Sequence, residues 1–276
     1  MPGSVIIEIE EGYGAVKINY DILSDDYDLT RNINIDVLEA FFSKVNVENS
    51  SVLDFGCGTG NYACAFKRLT SANVFGVEPS DGMRQRALDK NGGVGVFKGD
   101  HTSVPFENNF FDFIYMTDVI HHVPDLAVMF AELSRVLKPG GLVCVLTESH
   151  RQIETWFWSA YFPGTVEVEK KRYPDIGAIV SEASSCGFGT DEITETDQAK
   201  KFLISLDFLT LVEKKGFSMF RLISDESFED GLAKLRSDFR LKREIVSNHG
   251  ETLLWLKKPL NVNETSGCEK AFPPDV

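Results

Sequence analysis

Apolar and polar residues in the first half of the chain follow two alternating patterns. In segment 34–47 apolar residues recur three or four positions apart, which predicts an amphipathic helix, and the apolar run 51–55 has the length of a buried strand. Further predicted strands lie at 73–77, 94–97, 111–116 and 142–146, with helical segments between most of them. Strands that alternate with helices predict a parallel sheet covered by helices.

The pattern changes after residue 149. Segment 155–162 concentrates aromatic residues without a clean helical period, and we interpret it as part of a cap rather than as another strand and helix. Downstream, the pattern predicts a polar strand at 192–196, a helix at 202–214, a helix with an apolar stripe over 228–239 and a last strand at 251–256. The polar, proline-containing segment 259–276 is expected to be a flexible tail.

Composition narrows the classes of protein that this chain can be. Its 276 residues are 43% hydrophobic, enough for a full core. The formal net charge of -14 repels phosphate backbones and anionic lipids, so neither nucleic acid nor a membrane surface is an expected partner. Five cysteines without paired metal spacing, in a chain that begins without a signal-peptide pattern, predict reduced thiols, no metal site and a cytoplasmic location.

The motif richest in chemical information is the glycine-rich turn DFGCGTGN at 54–61, which follows the first predicted strand. In such a turn, backbone amides face a ligand at the carboxyl end of the strand. Glu78 ends the next predicted strand, 20 residues after Gly58, a separation at which a carboxylate can accept hydrogen bonds from ribose hydroxyls. The two features together predict either a nicotinamide dinucleotide or an adenosine ligand without phosphates.

Two residues favour the adenosine ligand. The dinucleotide fingerprint requires glycine or alanine at position 61, where this chain has Asn61. Asp54 precedes the turn, and its carboxylate would repel a pyrophosphate but would suit the ammonium and sulfonium groups of S-adenosylmethionine. A nicotinamide-dependent oxidoreductase remains the alternative enzyme, and a non-catalytic S-adenosylmethionine-binding protein is a third hypothesis.

Several motifs carry a family resemblance. They are DFGCGTGN at 54–61, VEPS at 77–80, KGD at 98–100, FDFIYMTDVIHHVPD at 111–125 and LSRVLKPGG at 133–141. In this order and spacing they resemble the class I S-adenosylmethionine-dependent methyltransferases, and within them the small-molecule, type-11 group that includes ubiquinone-pathway enzymes. The resemblance implies an α/β fold: a Rossmann-like, seven-stranded, mostly parallel sheet sandwiched by helices, with the last strand antiparallel and a helical, aromatic cap inserted around the sixth strand.

The resemblance also implies which residues bind the cofactor. Gly56 and Gly58 would approach its methionine portion with Asp54 beneath, and Glu78 would bind the ribose. Cys57 has no neighbouring base to stabilise a thiolate, so we interpret it as a small buried filler in the turn. The complete predicted set is Tyr27, Arg31, Asp54, Gly56, Cys57, Gly58, Glu78, Pro79, Asp100, His101 and Thr117, where Asp100 and His101 would contact the adenine and Tyr27 and Arg31 would close over the cofactor.

The candidate catalytic residues are His121 and His122, which follow the fourth predicted strand. A neutral imidazole near pH 7 can take a proton from an attacking hydroxyl or ammonium group. In the resembled group the position of His122 is usually histidine, so we interpret His122 as the positioning residue and His121 as the residue that faces the substrate.

The acceptor is predicted to be a small, apolar or aromatic molecule, methylated on oxygen, nitrogen or carbon by in-line displacement. Tyr20, Trp156, Trp158 and Tyr161 are the candidate substrate-binding residues, although the last three could equally be the packed inner face of a cap. The predicted organisation is an N-terminal cap segment at 1–32, an S-adenosylmethionine-binding core at 33–148, cap insertions with the sixth strand at 149–248, the last core strand at 249–258 and the tail at 259–276.

Overall fold

The structure is a computed structural model in which residues 33–197, 200–247 and 250–260 are described. The predicted N-terminal cap segment and most of the predicted tail lie outside these ranges. Three predicted site residues, Tyr20, Tyr27 and Arg31, also lie outside them, so their roles stay predictions.

The described residues form alternating helices and strands followed by a run of helices. The helices are α1 (Ile35–Lys44), α2 (Asn61–Leu69), α3 (Asp81–Asp89), α4 (Leu126–Val136), α5 (His150–Thr155), α6 (Phe157–Tyr161), α7 (Gly164–Arg172), α8 (Ile176–Ser185), α9 (Leu206–Glu213) and α10 (Asp225–Arg240). The strands are β1 (Ser51–Phe55), β2 (Asn73–Val77), β3 (Gly95–Phe97), β4 (Phe111–Thr117), β5 (Leu137–Thr147), β6 (Gly189–Asp197), β7 (Lys200–Leu203), β8 (Glu244–Ser247) and β9 (Gly250–Lys257). Short 3₁₀ turns lie at Ile120–His122 and Ser218–Arg221.

Seven strands form one sheet in the order β3-β2-β1-β4-β5-β9-β6. Strands β1 to β5 pair in parallel, and β9 pairs antiparallel with both β5 and β6. The predicted seven-stranded, mostly parallel sheet with an antiparallel last strand is therefore confirmed. Because the strand order reverses between β1 and β4, a crevice for ligands is expected at the carboxyl ends of these two strands.

Short polar side chains set the starts of the helices that follow the strands. Asn34, Ser80 and Asp125 precede α1, α3 and α4, and each side chain accepts a hydrogen bond from a first-turn amide at 3.0 to 3.4 Å. Such caps satisfy amides that have no partner within the helix.

The central strands are buried on both faces. In β4, Phe113 and Tyr115 pack toward α1 and α2, whereas Ile114 and Met116 pack toward α4. Two-sided burial explains why this strand reads as a nearly continuous apolar run rather than as an alternating one.

Strand β5 begins earlier than its apolar run predicts. It starts at Leu137, which pairs with Phe111, and the register then shifts before Phe113 pairs with Leu142. The proline and two glycines at 139–141 are typical of a turn, so the sequence predicts the strand after them, at 142–146, whereas the structure includes them in β5. The pairing with Phe111 and Phe113 therefore overrides the local turn signal.

The predicted helix at 202–214 is wrong in its first part. Phe202 lies in β7 and pairs with Ile245 of β8, in a separate two-stranded antiparallel sheet. The helix α9 starts at Leu206, after Ser205 caps it by accepting a hydrogen bond from the amide of Phe208. A pairing across 43 positions cannot be recognised from local periodicity.

We call residues 150–173 and 200–247 the helical region. Its buried side chains form an aromatic-rich cluster that is distinct from the clusters on the two faces of the sheet. That this region covers an acceptor site stays a prediction. Among the described residues, no helix is long and apolar enough to cross a membrane.

Candidate active site

The turn after β1 is held against β2 by backbone hydrogen bonds. The amides of Gly56 and Cys57 both donate to the carbonyl oxygen of Val77, at 2.8 and 3.1 Å. Gly56 has a φ of +74°, and a Cβ there would lie 2.6 Å from a methyl group of Val119. This close approach requires glycine, and it ties the turn to the loop that follows β4.

Gly58 occupies the open side of the same turn. Its φ is +54°, and no described atom lies within 4 Å of the place where a Cβ would stand. Its amide donates to the Oε2 atom of Glu78 at 3.0 Å. The turn thus presents bare backbone to a space that a ligand can enter.

The Glu78 carboxylate is fixed at the end of β2. Oε2 accepts from the Gly58 amide, and Oε1 accepts from the Ser80 amide at 2.9 Å. Each carboxylate oxygen can accept a second hydrogen bond, so two hydroxyls of a ribose could still be bound. Glu78 is therefore in direct contact with the glycine turn, and its binding of ribose stays a prediction.

Asp54 lies beneath the turn, with 1% of its surface exposed. Burial raises the pKa of its carboxyl from 3.8 to about 7, against the opposing effects of the Tyr115 hydroxyl and the Ala63 amide, and Glu78 adds to the rise. Its Oδ1 atom makes no hydrogen bond within the described residues. A buried carboxylate with an unused oxygen is stabilised by a nearby cation.

These residues fit S-adenosylmethionine. The unused Asp54 oxygen suits a cationic amino-acid end, the space beside Gly58 admits a ligand, and Glu78 can bind a ribose. A pyrophosphate would place negative charge between the Asp54 and Glu78 carboxylates, which disfavours a dinucleotide.

The remaining predicted cofactor residues lie around this turn or on the next strands. Cys57 is buried, and a Cβ at Gly76 would lie 2.6 Å from its Sγ atom, so the thiol fills the space that Gly76 leaves. Burial raises the pKa of this thiol further from the physiological range. Pro79 is exposed after β2, and Thr117 ends β4 half-buried.

Asp100 and His101 follow β3 in a tight turn. The Oδ1 atom of Asp100 accepts hydrogen bonds from the amide and the hydroxyl of Thr102, at 2.8 and 2.6 Å, and these bonds lower the pKa of its carboxyl. The side chain of Asp100 therefore shapes its own turn, and the adenine contacts of Asp100 and His101 stay predictions.

The two histidines form the 3₁₀ turn after β4. The ring of His121 lies 4.0 Å from that of His122 and stacks on Tyr173 at 4.1 Å between centroids. Burial, with smaller effects of His122 and Arg172, lowers the pKa of His121 to about 3. His121 is consequently neutral across the physiological range.

The predicted substrate-binding aromatics have different surroundings. Trp158 packs among rings of the helical region, with centroids 5.0 to 5.3 Å from those of Phe208, Phe217 and Phe220. Tyr161 is also buried, and its hydroxyl donates to Asp238 at 2.7 Å. The ring of Trp156 instead meets Tyr173 edge-on at 6.4 Å.

Of these three aromatic residues, Trp156 is the one that contacts Tyr173, and the ring of Tyr173 stacks on His121. The surroundings of Trp158 are those of a packed core residue, and its role in acceptor binding stays a prediction.

Two residues of this edge were missed by the sequence reasoning. Glu148 follows β5 directly, with 5% of its surface exposed. Its position directly after an apolar strand could have identified it as a candidate site residue, because the carboxyl ends of parallel strands lie at the ligand edge of the sheet. Tyr173 gave no such signal, since its contact with His121 spans 52 positions and depends on the helical region.

Comparison with known proteins agrees with this geometry. A family model described as a methyltransferase domain matches residues 53–145, which include the glycine turn, Glu78 and both histidines. Residues 53–145 therefore match a methyltransferase domain, in agreement with the class I, S-adenosylmethionine-dependent methyltransferases that the motifs resemble. The resemblance inferred from the sequence motifs is confirmed.

Curated relatives share this methyltransferase domain. Sterol 24-C-methyltransferase of Pneumocystis carinii is 42% identical over 101 residues, which is 34% of this chain but 27% of the relative's length. Demethylmenaquinone methyltransferase of Staphylococcus haemolyticus is 26% identical over 200 residues, covering 70% of this chain and 77% of the relative.

Among solved structures, one from Anabaena variabilis, described as a methyltransferase from an antibiotic biosynthesis pathway, superposes with a TM-score of 0.64. It covers 82% of this chain and 98% of its own, at 22% identity. This likeness extends the shared fold beyond the methyltransferase domain into the segments that follow β5.

Proposed function

We propose that the protein is an enzyme that transfers a methyl group from S-adenosylmethionine to an oxygen, nitrogen or carbon atom of a small molecule. The observation that carries the proposal is the contact of Glu78 with the Gly58 amide above the buried Asp54. It joins a ribose-binding carboxylate, an open turn and a site for a cation at one edge of the sheet. The curated relatives, which are methyltransferases, support the same chemistry.

The protein's main contribution to this reaction is alignment and exclusion of water. S-adenosylmethionine supplies a methyl group that its sulfonium already activates. Gly58 and Glu78 would bind the cofactor, and Asp54 would stabilise its cationic end. Asp100 and His101 are proposed to contact the adenine, as expected from the sequence.

His121 is proposed to face the acceptor. With its pKa lowered to about 3, the neutral imidazole is a weak base, so we assign it the orientation of the acceptor by a hydrogen bond rather than strong proton removal. Its Nδ1 atom is buried and has no hydrogen-bond partner among the described residues. Replacement by glutamine, which can also accept a hydrogen bond, should retain more turnover than replacement by alanine.

The helical region is proposed to close the acceptor site, in agreement with a small acceptor that is partly apolar or aromatic. From this region, Tyr173 stacks on His121, and Trp156 meets Tyr173 edge-on. We further propose a cytoplasmic location, because the cysteines are interpreted as reduced thiols. A small molecule rather than nucleic acid or a membrane is the proposed partner, because the chain is strongly acidic.

A nicotinamide-dependent oxidoreductase is the weaker hypothesis. Asn61, at the position where the dinucleotide fingerprint has glycine or alanine, starts α2 and accepts a hydrogen bond from Lys90. The match of the family model to residues 53–145 favours methyl transfer.

The test measures ligand binding and turnover separately. S-adenosylhomocysteine at a hundred times its dissociation constant should stabilise the folded protein by about 2.7 kcal/mol, which a melting assay detects. NADH at the same concentration should leave the melting temperature unchanged. Transfer of a radiolabelled methyl group to a panel of small acceptors then separates an enzyme from a non-catalytic binding protein. Stabilisation by NADH and not by the sulfur ligand would refute the proposal.

A further inference from the structure

A buried carboxylate lies beyond the proposed cofactor site, at the end of β5. Glu148 has 5% of its surface exposed, and its Oε2 atom makes no hydrogen bond within the described residues. The hydroxyl of its neighbour Thr147 is also buried without a partner there. Buried polar atoms normally have a hydrogen-bond partner. Unpaired oxygens at the ligand edge of the sheet therefore indicate a place where a polar group of a ligand can bind.

The charged groups that act on Glu148 are all acidic. They are Asp118 from the loop after β4, Glu251 from β9 and Glu169 from α7, and together with burial they raise the pKa of Glu148 well above its usual range. Glu169 is paired with Arg172 at 2.7 Å, so this pair is neutral as a unit. Glu148, Asp118 and Glu251 therefore form an excess of acidic groups that influence one another at this end of the sheet.

An aromatic side chain borders the same place. Tyr173 has 8% of its surface exposed, its ring stacks on His121, and burial, followed by the effect of the Glu148 carboxylate, raises the pKa of its hydroxyl. The face of an aromatic ring attracts a cation, and most strongly where water is excluded. An acidic group and an aromatic ring at one edge of the sheet are a suitable environment for an ammonium group that carries methyl groups.

We propose that the methyl acceptor is an amine, and that Glu148, beside Tyr173, binds its nitrogen as that nitrogen becomes cationic. This inference rests on the proposed methyl transfer. The lone pair of the neutral amine forms the new nitrogen–carbon bond, and the electrons of the carbon–sulfur bond pass to sulfur. The positive charge thereby moves from sulfur to nitrogen, where the Glu148 carboxylate stabilises it.

An amine acceptor also accounts for the acidic groups that influence Glu148. An isolated buried carboxylate is costly, and neighbouring like charges raise the cost. A cationic ligand removes both costs at once. A neutral acceptor would instead bind to the protonated form of Glu148, which would donate a hydrogen bond, and the experiment distinguishes the two cases.

Binding is tested with cations that cannot themselves be methylated further. Tetramethylammonium and benzyltrimethylammonium are titrated into the full chain with saturating S-adenosylhomocysteine and, separately, without it. The uncharged controls are tert-butanol and benzyl alcohol. At least one cation should bind more tightly than its control, and Glu148→Gln should weaken that binding about tenfold to a hundredfold, the range for hydrogen bonds and contacts to a charged group.

Two further variants keep the result interpretable. Asp118→Asn removes a second charge and suits the left-handed backbone there, where φ is 57°, so it should weaken cation binding if Glu148→Gln fails to fold. Glu167→Gln alters an exposed carboxylate of α7 and should leave binding unchanged.

The inference is overturned if neither cation binds more tightly than its control, or if the Glu148 and Asp118 variants bind the cations as the parent does. The proposed methyl transfer fails by a different result, the absence of stabilisation by S-adenosylhomocysteine. Because the cations are also titrated without that ligand, the two failures are distinguishable.

Discussion

The carboxyl edge of the sheet and the helical region differ in how some of their buried acidic and hydroxyl groups are paired. At the edge, oxygens of Asp54 and Glu148 are buried without hydrogen-bond partners among the described residues. In the helical region, the buried hydroxyl of Tyr161 donates to Asp238 at 2.7 Å, and buried Glu169 pairs with Arg172. Unpaired groups cost stability unless a ligand pairs with them.

The difference distinguishes a region that can bind a ligand from a region whose side chains pack against each other. At the edge, the ends of the strands and the glycine turn position carboxylates that a ligand can pair. The helical region contains closely packed aromatic rings, such as Phe162, Phe220 and Phe228 with centroids 4.6 to 5.7 Å apart. Substitutions at the edge should therefore change ligand binding, and substitutions in the aromatic cluster should change stability.

The largest expected effect is on Trp158. Trp158→Ala should lower the free energy of unfolding by roughly 3 to 5 kcal/mol, because it leaves a cavity among packed rings. Trp156→Ala, next to Tyr173, should cost less stability and weaken acceptor binding more. Urea denaturation and acceptor titration of both variants measure the two effects.

That expectation would be wrong if Trp158→Ala unfolded at the parent's urea concentration and lost acceptor binding. Trp158 would then line the acceptor pocket, as the sequence suggested, and the division between the two regions would not hold at this residue.

The next largest effect is on Glu78. Glu78→Gln should weaken binding of S-adenosylhomocysteine about tenfold to a hundredfold, because an amide cannot accept from both backbone amides and also bind two ribose hydroxyls. Calorimetry measures the affinity, and Glu107→Gln, at an exposed position, is the matched control. An unchanged affinity would mean that Glu78 only holds the turn.

The smallest expected effect is the pH dependence contributed by Asp54. Its folded-state pKa of about 7 lies above its ordinary value of 3.8, so the folded protein holds a proton that the unfolded chain releases in this interval. The associated stability is present below pH 4 and is lost as pH rises through about 7. Asp54→Asn should therefore flatten the decline of melting temperature between pH 4 and 7.

Burial also raises the pKa of Glu148, Asp118 and Glu169, so part of the decline should remain in the Asp54→Asn variant and become smaller when Glu148→Gln is added. Equal slopes for the parent and the Asp54→Asn variant would show that Asp54 is ionised and paired in the folded protein. The buried acidic groups of the edge would then be paired within the protein, as they are in the helical region.

Local pattern was sufficient for the parallel strands of the sheet and for the glycine turn at its carboxyl edge. Buried strands show as apolar runs, caps such as Asp125 act within three residues, and the turn at Gly56 and Gly58 is encoded in adjacent positions. The pairing of Glu78 with that turn was predictable because neighbouring parallel strands end at the same edge.

Tertiary structure decided what local pattern cannot encode. Phe202 is a strand residue because it pairs with Ile245, and Tyr173 reaches His121 because the helical region folds back over the loop after β4. The surroundings of Trp158 and the excess charge around Glu148 likewise arise from segments far apart in the chain. Burial and electrostatic neighbours depend on contacts across the whole fold, so a sequence determines them only through its completed tertiary structure.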